Sequence, residues 1–164
     1  MRGQHKSDFL LLFAFFLTGI SALGYEILWT RLLSLVLGNE SLGVQGVLTG
    51  FFAGLALGAI VLNKRIKQSQ NPLYVFIVLE VLIAVYASIS PHLFNWLVDA
   101  VPPFIGPIIA NNSNVLGLTI SILFSSFILL PATFCMGATL VALTEARKRV
   151  IPDQKHGKGL GRLY

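Results

Sequence analysis

Charge is scarce in this sequence. Only 12% of its 164 residues are charged, where a soluble domain carries about a quarter. Hydrophobic residues make up 55%. The charges are also segregated: most Lys and Arg fall in three short segments separated by long uncharged runs. That distribution excludes an ordinary solvated surface and suits a chain whose solvent is lipid. The net charge of +5 does not indicate nucleic acid, because the basic residues sit beside apolar runs rather than along one polar face. Cysteine is nearly absent. Cys135 alone excludes an intrachain disulfide and any multi-cysteine metal site, and its apolar setting reads as packing. His5, His92 and His156 lie far apart or on different sides, so no metal site is implied and no cofactor is expected. No secretory signal is evident. The first apolar stretch is too long and runs into Tyr25-Glu-Ile-Leu-Trp29 instead of a small-residue cleavage site.

What is present is four long apolar runs. The first begins at Phe9, is uncharged to Leu23 and continues less cleanly to Leu37. The others run from about Leu42 to Leu62, Leu73 to Ile89 and Val115 to Leu143. Each reaches or approaches the roughly 20 residues a helix needs to cross about 30 Å of hydrocarbon. None shows the alternation of a membrane barrel, which leaves helices as the way to satisfy the backbone in lipid. Lys and Arg at the run ends then set the orientation. Arg2 and Lys6 precede the first run. Lys64, Arg65 and Lys67 follow the second, and Arg147, Lys148, Arg149, Lys155, Lys158 and Arg162 follow the fourth. Residues 38–41 and 90–114 contain neither Lys nor Arg.

The expected fold is therefore an all-α membrane protein with four transmembrane helices and both termini cytoplasmic, in a bacterial inner membrane. Residues 1–8 form a cytoplasmic tail, 9–146 the transmembrane domain, and 147–164 a basic cytoplasmic tail. Residues 91–101 can form a short amphipathic helix in the outer interface, with Phe94, Leu97, Val98 and Val101 on one face and Trp96 at headgroup level. The alternative is an extension of the third helix.

Several features carry more specific expectations. Gly46, Gly50, Gly54 and Gly58 recur every fourth residue, so they form one stripe that lets another helix approach closely, within the chain or between copies. A sliding surface in a transporter is the functional counterpart. Glu26, Arg31 and Glu80 fall inside apolar runs, where ionisable groups are costly and are suspects for function. Glu26 and Arg31 lie near the outer boundary, where Tyr25 and Trp29 suit an aromatic belt and Arg31 can reach headgroups. They are five residues apart and need not pair. Glu80 is about seven residues into its run, a depth of about 10 Å, so it is expected to be neutral or to find a partner on another helix. It is either a packing residue or a proton- or cation-linked site. Pro131 should kink the fourth helix near Phe127, and Ser121 and Ser125 can satisfy local carbonyls. Gly157-Lys-Gly-Leu-Gly161 lacks the strand and spacing of a nucleotide loop. Asn39-Glu-Ser41 and Asn111-Asn-Ser113 match a glycosylation pattern that matters only in a secretory pathway.

Five stretches in order carry a resemblance. They are Gly24-Tyr-Glu-Ile-Leu-Trp-Thr-Arg-Leu-Leu-Ser-Leu-Val-Leu-Gly38, Phe51-Phe-Ala-Gly-Leu-Ala-Leu-Gly58, Leu79-Glu-Val-Leu-Ile-Ala-Val-Tyr86, Met136-Gly-Ala-Thr-Leu140 and Gly161-Arg-Leu-Tyr164. Together they resemble the N-terminal membrane region of bacterial spermidine synthase-like integral membrane proteins, a family in which a transporter-like, major facilitator-like domain is fused to the synthase. The resemblance implies that Glu26, Arg31 and Glu80 occupy positions typical of the family. Lys67 stands where a facilitator-type loop would carry an acid, and Val141 where the family often has a second proline. It also implies further membrane helices and an aminopropyltransferase domain beyond Gly161-Arg-Leu-Tyr164, so the chain reads as truncated relative to the family and no catalysis is expected of these residues. The expected role is a membrane scaffold, anchor or subunit, partnered by the bilayer and by a second copy or another membrane subunit. A small oligomeric transporter for a polyamine or other cation is the alternative, and a fragment of a membrane-bound aminopropyltransferase a further one.

Overall fold

The computed structural model describes residues 2–100 and 115–150. Within them the chain forms α1 (Arg2–Leu37), α2 (Glu40–Gln68), α3 (Pro72–Ala100) and α4 (Val115–Val150). Each contains a stretch long and apolar enough to cross a membrane. The helices outrun the apolar runs at several ends. α2 continues over Lys64, Arg65 and Lys67, and α4 over Arg147, Lys148 and Arg149. Hydropathy marks only the part suited to hydrocarbon, whereas Lys and Arg are good helix formers that let the helix go on into water.

The largest difference concerns α3, which passes through Pro91 to Ala100. For residues 91–100 the arrangement seen is thus the extension of the third helix; Val101 and the rest of 101–114 lie outside the described residues. Pro91 removes the amide that would bond the Ala87 carbonyl. Ser90 replaces it, its Oγ donating to that oxygen at 2.9 Å. Phe94 and Leu97 are then buried in the bundle, while Trp96 is exposed.

The α1–α2 connection is the pair Gly38-Asn39. Gly38 takes φ 64°, the left-handed conformation that ends many helices and that glycine adopts without a Cβ penalty. Asn39 caps α2, its side chain accepting from the Leu42 amide at 3.3 Å. In the other described connection, Pro72 opens α3 at a position where a missing N–H costs nothing. The Asn71 carbonyl there accepts from the Tyr74 and Val75 amides.

Cross-helix pairs show the topology. Thr18 meets Glu80 and Trp29 meets Ser90, so α1 and α3 run parallel. Gly46 faces Ser125 and Gly54 faces Thr133, so α2 and α4 also run parallel. The bundle is up-down-up-down. One end gathers the α2–α3 connection with the basic end of α4, and the opposite end carries the Gly38-Asn39 turn. Apolar packing falls into two clusters. The larger centres on Trp29, Leu33, Phe51, Phe94, Leu129 and Met136. The second, toward the basic end, joins Ile66, Phe76, Leu79, Ala138, Ala142 and Leu143. Half-buried Cys135 packs against both, in keeping with a packing role.

Candidate functional site

The glycine stripe is used inside the chain. α2 makes its most extensive contact with α4, and all four glycines are buried there. A Cβ at Gly46 would stand 2.6 Å from the Ser125 Cβ, and one at Gly50 2.8 Å from the Ser126 Cα. At Gly54 it would collide with the Thr133 side chain, and at Gly58 with the Phe134 carbonyl oxygen. α4 reciprocates, since a Cβ at Gly137 would meet the Leu55 carbonyl. The facing row on α4 is Gly117, Ser121, Ser125, Leu129, Thr133 and Gly137, buried throughout and spaced by four. Sequence reading singled out only its two serines. The full row was visible as a second small-residue repeat, interrupted by Leu129. Its hydroxyls turn back on their own helix: Ser121 donates to the Gly117 carbonyl at 2.9 Å, Ser125 to Ser121 at 2.7 Å and Thr133 to Leu129 at 2.9 Å. The polar atoms are thereby satisfied locally, and the seam is held by close packing.

The seam between α1 and α3 is of another kind. Trp29 is fully buried, its Nε1 donating to the Ser90 Oγ at 3.1 Å. The ring stacks on Tyr25 at 5.5 Å between centroids and meets Tyr86 edge-on at 5.8 Å. This corrects the belt expectation for Trp29. A belt tryptophan faces headgroups, whereas the indole N–H of Trp29 finds its partner in the bundle, which allows burial. The Tyr86 hydroxyl donates to the Ile128 carbonyl of α4, three residues before Pro131. α4 runs unbroken through Pro131; the carbonyl that the missing amide leaves without its helical partner is that of Phe127, one residue before the one Tyr86 bonds.

Toward the basic end the same seam opens into a cleft of about 60 Å³ lined by Thr18, Ser21, Ala22 and Tyr25 of α1, Glu80, Ile83 and Ala84 of α3, and Met136 of α4. The Thr18 hydroxyl is 3.2 Å from Glu80 Oε1 and 3.0 Å from the Ala14 carbonyl. Glu80 therefore has a partner on another helix. The partner is 62 residues away in sequence, which is why no local pattern announced it. Glu26 and Arg31 do not join this cleft. Arg31 is exposed, beside an open depression that Thr30, Ser34, Asn39 and Glu40 also line. No ion pair links Glu26 and Arg31 among the described residues. Among those residues, no three His, Cys, Asp or Glu side chains converge to hold a metal.

One further site was not legible. The Arg149 guanidinium donates to the Gln70 and Ser69 carbonyls at 2.7 Å and to the Lys67 carbonyl at 3.3 Å. It closes the end of α2 and ties α4 to the α2–α3 connection. Arg149→Lys is expected to loosen this end nearly as much as Arg149→Ala, because an ammonium cannot reproduce the planar fork. Faster amide exchange over residues 67–71 in both variants would show it, and full protection in the lysine variant would contradict it. Residues 157–161, 161–164 and 111–113, with their sequence motifs, lie outside the described residues.

No family model matches this chain, and no curated protein or solved structure matches it either. The likeness to spermidine synthase-like membrane regions thus rests on the residues quoted above.

Proposed function

We propose that the chain is a non-catalytic integral membrane scaffold, anchor or subunit of a bacterial inner membrane, corresponding to the N-terminal part of a spermidine synthase-like membrane region. The α2–α4 seam supports this reading best. A surface on which helices slide needs room, whereas here a Cβ at any of the four glycines would come within 3.0 Å of α4, of its backbone at Gly50 and Gly58 and of its side chains at Gly46 and Gly54. The outer face of α1, with Phe9, Phe16, Leu23 and Ile27 exposed, is left for lipid, a second copy or another membrane subunit. Both termini are assigned to the cytoplasm, because Lys64, Arg65, Lys67, Arg147, Lys148 and Arg149 collect at one end of the bundle. Trp96 then stands at the outer headgroup level. A kink at Pro131 belongs to the same proposal.

Single cysteines at Gln70 and Asn39, in a Cys135→Ser background, are expected to react with an impermeant maleimide from opposite sides of the membrane. Labelling of both from one side would refute the topology. For function, the full chain in proteoliposomes is expected to take up neither a polyamine nor an inorganic cation while remaining helical. Uptake that disappears in Glu80→Gln would replace the scaffold reading with the transporter. The intact mass of the protein from its native membrane tests the third reading. A mass well above these 164 residues would assign any aminopropyltransferase chemistry to a further domain.

A further inference from the structure

The Glu80 cleft has a chemistry that a packing role does not use. It is lined by the apolar residues Ala22, Ile83, Ala84 and Met136 and by the oxygen-bearing residues Glu80, Thr18, Ser21 and Tyr25 on two helices. Among the described residues Glu80 is the one charged side chain lining it. Tyr25 of α1 is the other titratable one, and α4 contributes Met136 alone. A carboxylate in such surroundings has to be neutralised. One carboxylate balances one positive charge; a divalent ion would leave the cleft charged.

The hydrogen bonding at Thr18 fits two neutral states. The single hydroxyl proton has two acceptors within reach, the Ala14 carbonyl at 3.0 Å and Glu80 Oε1 at 3.2 Å. With a proton on Glu80, the carboxyl donates to Thr18 Oγ1 and the hydroxyl donates to Ala14, so every donor is used. With a cation instead, the carboxylate and the lone pairs of Thr18, Ser21 and Tyr25 form a set of hard oxygen ligands of the kind that alkali-type ions accept. Neither Ser21 nor Tyr25 spends its hydroxyl on another hydrogen bond among the described residues. The volume of about 60 Å³ exceeds what one water requires, which is about 10–15 Å³. It accommodates a small ion with a water.

We propose that this cleft is an exchange site at which a proton on Glu80 is replaced by one small monovalent inorganic cation. The inference is independent of the scaffold reading and needs only that the bundle sits in lipid.

The test is labelling by dicyclohexylcarbodiimide of the full chain in phosphatidylcholine liposomes. The reagent adds to a protonated carboxyl: the acid oxygen bonds to the central carbon, the carboxyl proton passes to nitrogen, and an acyl shift from oxygen to nitrogen fixes the adduct. No atom leaves. The expected result is one adduct, mapped by peptide mass to Glu80, forming severalfold more slowly in sodium or potassium chloride than in choline chloride at the same pH and ionic strength. Thr18→Val should keep the adduct and weaken the protection. No adduct at Glu80, equal rates in all three salts, or equally fast modification of Glu26 would overturn the proposal. Because the decisive comparison uses the unaltered chain, it stands whether or not Glu80→Gln folds. A positive result alongside absent uptake would leave the scaffold reading intact.

Discussion

Gly58→Ala and Gly137→Ala will each destabilise the bundle by about 1–3 kcal/mol, the usual cost of overpacking, while Gly19→Ala and Gly24→Ala will not. The contrast comes from what the new methyl group meets. At Gly58 and Gly137 it runs into a carbonyl of the facing helix, Phe134 on α4 and Leu55 on α2 respectively. Backbone cannot rotate aside as a side chain can, so the helices must part and give up dispersion contacts along the seam. At Gly19 and Gly24 nothing lies within 4 Å. There the substitution meets only the intrinsic preference of a helix for alanine, about 1 kcal/mol in its favour. Reversible unfolding in mixed micelles, read by helical circular dichroism, gives all four values. Equal effects at the four sites would show that the α2–α4 seam does not hold the bundle together. Gly54→Ala belongs between the extremes, since its new methyl group meets Thr133, a side chain with some freedom to move.

Trp29→Ala will be the most damaging single truncation of a side chain, at about 3 kcal/mol. That is the low end for removing a tryptophan from a soluble core, because in lipid the unfolded alternative is also apolar and much of the transfer contribution drops out. What remains is the loss of contacts with Tyr25 and Tyr86 and of the bond to Ser90. Trp29→Phe separates these parts. It keeps a ring for Tyr86 but removes the donor to Ser90, which retains its own donation to Ala87. Its cost is expected near 0.6 kcal/mol, the average for hydrogen bonds between membrane helices. A double-mutant cycle with Ser90→Ala measures that coupling directly. Tryptophan emission gives a second reading, since wild-type Trp29 is fully enclosed and Trp96 is 65% exposed. Water- or lipid-borne quenchers should reach Trp96 and spare Trp29; equal quenching would contradict the buried placement.

The α1–α3 seam shows why tertiary partners were hard to read. Trp29 lies on a helix with apolar residues on every side, so no amphipathic asymmetry marks which face turns inward. In water a polar face would have betrayed the buried one. In lipid both faces are apolar, and the inside is distinguished by small residues and by polar atoms that need partners. The glycine stripe on α2 met that criterion and was legible as close packing. That its partner is α4, the parallel helix, and not a second copy was not. The row on α4 was harder to see, because hydroxyls and Leu129 interrupt its glycines. The carboxylate at Glu80 was legible as a group in need of a partner, but Thr18 gave no sign from its distance in sequence.

By itself, the sequence determined the class and the spans. A shortage of charge, its concentration at the run ends and the length of the apolar runs follow directly from the cost of placing ions and unpaired backbone in hydrocarbon. The turn at Gly38-Asn39 and the small-residue face of α2 are likewise local properties of their residues. Tertiary structure decided the rest: the α2–α4 pairing, the burial of Trp29, the Arg149 clasp and the Thr18–Glu80 cleft. Each joins residues on different helices, through contacts set by shape and hydrogen bonding between surfaces. A hydropathy pattern measures only affinity for lipid, and lipid-facing and helix-facing positions here share that affinity almost equally.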